Sequence, residues 1–325
     1  LAFIRRLRPL AAAFAVAGLV LASSTSSGQV PAPQGPAASA EAKALLLLLE
    51  GAATLAPGTY TVAGTAIEPS KDTLPVLVQA DALRGPEKTV QAVLSLGAQA
   101  TQPALTRARV WTAGGAAPTL VFDVSGSSPA GAIRNVSKLT LRPGEYDLQA
   151  VVAQPGTGGK VLAALARSRL VIPDFFGAGL AVSPLVLGDE VAAAPASSAG
   201  SPFVFGPTAL RPSAGDRFAQ SGQLHLAFRV HNWTAPAQEK PDLQVEYVFY
   251  EQKAGRSRFF NKLKPQLLNA KTLGERFDST SAAVSGGSSI PLASFPFGTF
   301  QVTVRVTDQR TKQTASQEAR FVVVP

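Results

Sequence analysis

The chain has 325 residues, of which 46% are hydrophobic and 16% charged, with 28 glycines, 25 prolines and no cysteine. This length suits about two domains, and low charge with many turn formers is typical of short strands rather than of long charged helices. The absence of cysteine excludes disulfides, thiolate metal sites and cysteine nucleophiles, and the two histidines leave little scope for histidine chemistry.

Residues 1–28 have the pattern of a secretory signal peptide. Three arginines precede an apolar run over residues 10–21, which is too short to span a bilayer as a helix, and small residues follow over 22–28. We therefore predict a secreted or periplasmic protein with no membrane span after signal removal. An uncleaved anchor is the alternative, and Leu1 at the start fits either a fragment or an alternative start codon.

The basic excess is concentrated at the two ends of the chain. Of the net charge of +9, the signal peptide accounts for three arginines, and the remaining +6 lies entirely within residues 200–325. An excess of this size is too modest to indicate a nucleic-acid-binding protein, so we predict no nucleic-acid partner.

After the signal peptide, the sequence predicts an all-β protein. Residues 29–54 form a flexible leader, rich in proline and alanine, whose composition allows one short helix over 41–50. Period-two alternation then predicts one β-sandwich domain over 55–187 and another over 203–325. The alanine, serine and proline residues of 188–202 read as a linker between them.

Strand parity is clearest in the C-terminal part. Three strands there, and one over 146–152, place apolar side chains on one face and polar ones on the other, as half-buried antiparallel strands do. For example, Leu224, Leu226 and Phe228 alternate with polar residues that include Arg229 and His231. We therefore predict two tandem immunoglobulin-like antiparallel β-sandwiches, each strand with one solvated face.

A weak internal sequence repeat relates the two predicted sandwiches. The segment PGEYDLQAVV, beginning at Pro143, leads to RSRLVIP, and FGTFQVTVRV, beginning at Phe297, leads to EARFVVVP. Both read as a turn glycine, a strand, a hairpin and a closing strand, although any two β-hairpins share some of this pattern.

The same segments carry a family resemblance. LTLRPGEYDLQAVV, RLVIPDFFGAGLAVSPLVLG, LAFRVHNWTAPAQEKPDLQVEYVFY and IPLASFPFGTFQVTVRVTDQRT together resemble the C-terminal β-sandwich region of secreted bacterial VWFA-related proteins, over roughly residues 55–325. Such proteins usually carry a von Willebrand A domain before the sandwiches, and we expect none within this chain. The resemblance implies an adhesion or ligand-binding role.

One short segment looks like the metal-ion-dependent adhesion motif of A domains. Asp123, Ser125 and Ser127 have its DxSxS spacing, which would hold a divalent cation by carboxylate and hydroxyl oxygens. The surrounding sequence lacks the alternating helices and strands of an α/β domain. We therefore favour a strand end followed by a serine- and glycine-rich turn.

Other motifs for catalysis are weak. His225 and His231 lie six residues apart on one predicted strand, too far to share a metal ion, and no G-x-S-x-G elbow supplies a serine partner. The segment 156–160 (GTGGK) lacks the first glycine and the final Ser/Thr of a phosphate-binding loop and reads as a hairpin tip. We predict no catalytic residues, no cofactor and no metal site.

The strongest candidate for binding is a basic segment with aromatic residues. Such a segment could grip an anionic polymer or a membrane surface by charge and stacking. The alternative is a hairpin turned by Ala254 and Gly255, in which one phenylalanine packs inward and the basic residues protect an edge strand. The residues are Lys253, Arg256, Arg258, Phe259, Phe260, Lys262 and Lys264.

These observations predict a non-catalytic exported binding or structural module whose partner is a protein or a polysaccharide. Two alternatives belong to other classes. One is an accessory module or hydrolase acting on carbohydrate, which would need two close carboxylates in a cleft. The other is an adhesion module that acts with a separate A domain.

Overall fold

A computed structural model describes residues 60–62, 65–69, 74–113, 119–195, 201–234, 239–273 and 283–325. The predicted signal peptide over 1–28 and the leader over 29–54, with its short helix, lie outside these described residues.

Strands dominate the described part of the chain. The first nine are β1 (Tyr60–Val62), β2 (Thr65–Pro69), β3 (Val76–Arg84), β4 (Val90–Ala100), β5 (Ala104–Thr112), β6 (Leu120–Ser128), β7 (Gly131–Leu141), β8 (Gly144–Pro155) and β9 (Val161–Ile172). The others are β10 (Ala181–Val182), β11 (Val186–Ala193), β12 (Val204–Phe205), β13 (Thr208–Pro212), β14 (Arg217–Ala219), β15 (Gln223–His231), β16 (Leu243–Lys253), β17 (Arg256–Lys262), β18 (Gln266–Leu268), β19 (Ala283–Pro291), β20 (Gly298–Asp308) and β21 (Thr314–Val324). Within these ranges helix is confined to α1 (Ala270–Leu273) and a 3-10 turn over Thr157–Gly159. The predicted all-β class is confirmed.

Strands β1 to β9 form two sheets that pack face to face, which we call the N-terminal sandwich. One sheet has the strand order β1-β2-β9-β8-β5-β6 and the other the order β3-β4-β7. Pairing is antiparallel except between β2 and β9. The apolar faces of both sheets, with Leu94, Leu148 and Ile172 among the fully buried side chains, supply one core.

Strands β10 to β21 form the C-terminal sandwich. Its first sheet has the order β10-β15-β11-β13-β12, with β19 on the other side of β15. Its second has the order β14-β21-β20-β16-β17, with β18 also pairing with β16. Phe228, Phe249 and Phe300 lie in the core between the sheets, so aromatic packing contributes much of this sandwich's apolar burial.

The two segments of the internal repeat both form hairpins, one in each sandwich. Strands β8 and β9 pair as an antiparallel hairpin in the N-terminal sandwich, and β20 and β21 do so in the C-terminal one. Each hairpin opens on a glycine with positive φ, 152° at Gly144 and 150° at Gly298. Side chains rarely adopt this backbone conformation, which explains why both copies begin with glycine.

The predicted linker over 188–202 is wrong in its first part, because residues up to Ala193 belong to strand β11. This strand pairs with β15 through Val186 and Leu187 and with β13 beyond them. Asp189, near the start of the predicted linker, accepts hydrogen bonds from Arg134 at 2.7 Å and Arg211 at 2.7 Å. Residues 196–200 of the predicted linker lie outside the described ranges.

The polar face of β15 is buried at Arg229 and His231, where solvent was predicted, while His225 on the same face is partly exposed. Arg229 is 5% exposed and His231 is 2% exposed, because this face packs between the two sandwiches. The Arg229 guanidinium forms an ion pair with the fully buried Asp81 of β3 and donates to the Val204 carbonyl at 2.7 Å. It also lies 4.3 Å from the ring centroid of Phe205.

We call this contact region the junction, and it contains further hydrogen bonds between the sandwiches. The Gln79 side chain donates to the Leu187 carbonyl at 2.7 Å and accepts from the Leu187 amide at 2.8 Å. Gly97 of β4 lies so close to residues 213–214 that a side chain there would collide with backbone. The sandwiches are therefore joined by a buried polar interface.

Candidate functional site

The predicted binding segment is a β-hairpin formed by β16 and β17, and we call residues 253–264 the basic hairpin. Lys253 pairs with Arg256, so the turn contains only Ala254 and Gly255. Their φ values of 49° and 74° are both positive, as a two-residue type I′ turn requires. The turn predicted at these two residues is confirmed.

The basic hairpin lies at an edge of the C-terminal sandwich. Strand β17 ends the order β14-β21-β20-β16-β17, and its pairing with β16 shifts register between Phe249 and Tyr250. Phe260 is the extra residue in this bulge. Edge strands rich in lysine and arginine resist pairing with other chains, so this position alone accounts for part of the basic composition.

The two phenylalanines of the basic hairpin have different environments. Phe260 points toward the core, with its ring centroid 4.9 Å from that of Phe295 and 5.2 Å from that of Phe300. Phe259 is 56% exposed and makes an edge contact with Tyr250, at 6.3 Å between centroids. Phe259 therefore forms an apolar surface that the fold does not use for its core.

The cations of the basic hairpin are exposed and lack ion-pair partners in the described part of the chain. Among the described residues, no carboxylate oxygen lies within 4.0 Å of a side-chain nitrogen of these lysines and arginines. This holds even for Glu251, which pairs with Arg258 in the strand register. The Gln252 side chain donates to the Ser257 hydroxyl at 2.8 Å, a contact between neutral groups. These cations are Lys253, Arg256, Arg258, Lys262 and Lys264.

The fold spreads these charges along both faces of the edge strand. Lys262, opposite Val248, shares the face of Phe259, whereas Arg256 and Arg258, opposite Lys253 and Glu251, lie on the other face. Arg256 and Lys262 stand at opposite ends of β17, which at ~3.4 Å per residue separates their backbones by about 20 Å. Lys264 extends the series beyond the strand. Such an arrangement suits an extended polyanion better than a compact ligand enclosed in a pocket.

The DxSxS segment does not form a cation site in this structure. Asp123 lies within β6, an edge strand that continues to Ser128, so the predicted turn is wrong. Its carboxylate accepts hydrogen bonds from Arg107 at 2.8 Å and Arg109 at 3.2 Å. A cation would have to displace both guanidinium groups. Among the described residues, no cluster of three or more His, Asp or Glu side chains is placed to hold a metal ion.

The two histidines occupy separate environments. His225 Nδ1 lies 2.7 Å from the hydroxyl oxygen of Ser289, its cross-strand neighbour. Burial lowers the pKa of His225, and the negative charge of Asp189 opposes that shift. His231 lies at the junction, stacked on Phe175 with 4.2 Å between ring centroids. The solvated position predicted for His231 is therefore wrong.

The glycine-rich segment 156–160 joins β8 to β9, as the hairpin reading predicts. It contains the 3-10 turn over Thr157–Gly159, and Gly158 has a φ of 67°. Across the ranges that the structure describes, we find no helix with the length and apolarity needed to cross a bilayer.

Sequence reasoning missed which residues lie beside the basic hairpin on the sheet. Four residues occupy paired positions across strands β17, β16, β20 and β21. They are Phe259, Tyr250, Gln301 and Arg320. Strand parity places Tyr250 on the outer face, but the neighbours across the sheet depend on strand order and register, which parity does not determine.

Comparison with known proteins gives little further information. No protein-family model matches the chain, and no curated protein sequence matches it. Among solved structures, the chain is similar to a transglutaminase of red sea bream at a TM-score of 0.19 and 10% sequence identity. That match covers 90% of this chain but only 34% of the transglutaminase, so the chain spans about a third of that enzyme's length.

Proposed function

We propose that this protein is an exported, non-catalytic binding module that holds an anionic polymer, such as an acidic polysaccharide, along its basic hairpin. The observation that carries the proposal is the combination of exposed, unpaired cations with the exposed ring of Phe259 on one edge strand. The resemblance to secreted VWFA-related sandwich regions, with its implied ligand-binding role, is part of the same proposal.

The charges and the ring would have complementary roles. Carboxylate or sulfate groups along a polymer can pair with guanidinium and ammonium groups spaced along β17. The Phe259 ring offers an apolar face against which the carbon-bound hydrogens of a sugar ring can pack, and its contact with Tyr250 restricts its orientation. A linear ligand can engage several weak contacts at once, which raises its overall affinity.

The test is a binding titration with polygalacturonate, using the wild type and a variant with Arg256, Arg258, Lys262 and Lys264 changed to Gln. We expect the variant to bind about tenfold more weakly, because exposed ion pairs contribute about 0.2–1 kcal/mol each and the variant removes four cations. Equal affinity, or no binding by the wild type, would refute the proposal.

A matched control separates local binding from net charge. It carries the same number of Lys or Arg to Gln changes at exposed positions elsewhere, and we expect it to bind like the wild type. If it loses as much affinity as the hairpin variant, attraction is general and the basic hairpin is not the site. The control positions are Lys88, Lys138, Arg142 and Arg305.

A further inference from the structure

A cleft of about 570 Å³ opens between the two sandwiches. One wall is strand β9 of the N-terminal sandwich, including Leu165, Arg167 and Arg169. The opposite wall is formed by β20 and β21 of the C-terminal sandwich, including Gln301 and Arg320. Contacts between domains are a preferred place for ligand sites, which are usually preformed.

The junction holds these walls in place. Gln79 lines the cleft and also makes both hydrogen bonds to Leu187 across the junction. The ion pair between Asp81 and Arg229 lies two residues further along β3. Buried contacts of the junction therefore fix the two walls of the cleft relative to each other.

A row of side chains connects the basic hairpin with this cleft. Phe259, Tyr250, Gln301 and Arg320 occupy successive paired positions on β17, β16, β20 and β21. Paired residues on neighbouring antiparallel strands project to the same face of a sheet. Three interstrand gaps of about 4.8 Å place the ends of the row ~14 Å apart.

The cleft, like the basic hairpin, contains arginine side chains whose positive charge is not neutralised by an ion pair in the part of the chain that the structure describes. Arg167 is exposed, and within the described residues its guanidinium has no ion pair or hydrogen bond. The Arg320 Nε donates to the Gln301 side chain at 3.3 Å, an uncharged acceptor that leaves its positive charge available. Glu318 also lines the cleft, one row from Arg320, and its carboxylate accepts a hydrogen bond from Thr303 at 3.2 Å.

We propose that the basic hairpin, the outer-face row and the cleft form one continuous path for an extended acidic polysaccharide. The polymer crosses the strands from Phe259 toward Arg320 and enters the cleft, where a carboxylate lies between Arg167 and Arg320. This inference rests on the proposed function and adds to it a direction, a minimum ligand length and a second cationic subsite.

The inference is tested with galacturonate oligomers of increasing length. A disaccharide is too short to span the path, so it should bind equally to the wild type and to the variant Arg167→Gln/Arg320→Gln. Longer oligomers should gain affinity in the wild type as they reach the cleft. The cleft variant should lose about tenfold for those oligomers alone.

The control variant Arg142→Gln/Arg305→Gln removes the same charge from exposed sites that do not line the cleft. Length-dependent loss in the cleft variant but not in this control supports the path. Identical behaviour of the two variants at every length overturns it, whereas the proposed function survives if the hairpin variant still binds the polymer more weakly than the wild type does. If no oligomer or polymer binds the wild type, both proposals fail.

Discussion

Two neighbouring pairs of arginine and phenylalanine, one at the junction and one on the basic hairpin, lie in opposite environments. At the junction, the Arg229 guanidinium is buried against the Phe205 ring and bonded to Asp81 and the Val204 carbonyl. On the basic hairpin, Arg258 and Phe259 are exposed, and Arg258 has no ion pair among the described residues. The first cation has all its interactions within the fold, and the second remains available to a ligand.

This difference predicts opposite consequences for removing charge. A buried ion must be compensated by its partners, so breaking its pair destabilises the protein. An exposed cation without a partner contributes little to stability, so its removal should alter binding and leave folding intact.

The largest expected effect comes from the change Asp81→Asn. It leaves the buried Arg229 without its counter-charge, and we expect a loss of about 3–5 kcal/mol in the free energy of unfolding. The matched control is Asp123→Asn, which also breaks pairs with arginine but lies on an outer strand face, where we expect about 1 kcal/mol or less. Urea denaturation measures both, and similar losses would contradict the contrast.

The same variant tests whether the junction couples the sandwiches. The chain has two tryptophans, and Trp111 lies in the N-terminal sandwich while Trp233 packs against the core of the C-terminal one. Single-tryptophan proteins should report coincident unfolding transitions when Asp81 is intact and separate transitions when they carry the Asp81→Asn change. Separate transitions with Asp81 intact would show that the sandwiches unfold independently.

A smaller effect distinguishes the two phenylalanines of the basic hairpin. Phe260→Ala removes contacts with Phe295 and Phe300, and we expect a loss of about 2–3 kcal/mol, because this side chain is only partly buried. Phe259→Ala should change stability by about 0.5 kcal/mol or less and weaken polymer binding instead. Thermal unfolding and a binding titration on both variants test this prediction. Equal losses of stability, with polymer binding unchanged in the Phe259 variant, would show that both residues are purely structural.

The smallest expected effect is a pH dependence at Asp189. Burial raises the pKa of this carboxyl, but the hydrogen bonds from Arg211 and Arg134 outweigh it and lower the pKa overall. Since the folded pKa lies below the unfolded value of about 3.9, this stabilisation is present above that pH and is lost as the pH falls through the folded value. The difference in Tm between wild type and Asp189→Asn should therefore shrink between pH 7 and pH 3; a constant difference would contradict the ion-pair account.

Local pattern was sufficient to predict many strands and the tight turns. Fully buried Val302, Val304 and Val306 alternate with polar neighbours, so β20 follows from parity alone. Gly255 indicated the turn of the basic hairpin for a similarly local reason. These features depend on side-chain periodicity and backbone conformation, both of which are present in a short window of sequence.

Long-range pairing was beyond such reasoning. Part of β11 was predicted as a linker from the alanine, serine and proline content of 188–202, because nothing in that segment shows that Arg134 and Arg211, 55 and 22 residues away, bind Asp189. The polar face of β15 resembled a solvated surface because Asp81, which pairs with Arg229, is 148 residues away. The path from Phe259 to Arg320 likewise depends on the register of four strands.

The central claim, that the unpaired cations of the basic hairpin hold an acidic polymer, is tested most directly by the salt dependence of polygalacturonate binding. Wild-type affinity should fall steeply as ionic strength rises to about 0.15 M, where exposed charges are screened over about 8 Å. Changing Arg256, Arg258, Lys262 and Lys264 to Gln should remove most of that dependence, while the control set at Lys88, Lys138, Arg142 and Arg305 should retain it. The same salt slope in all three proteins would contradict the claim.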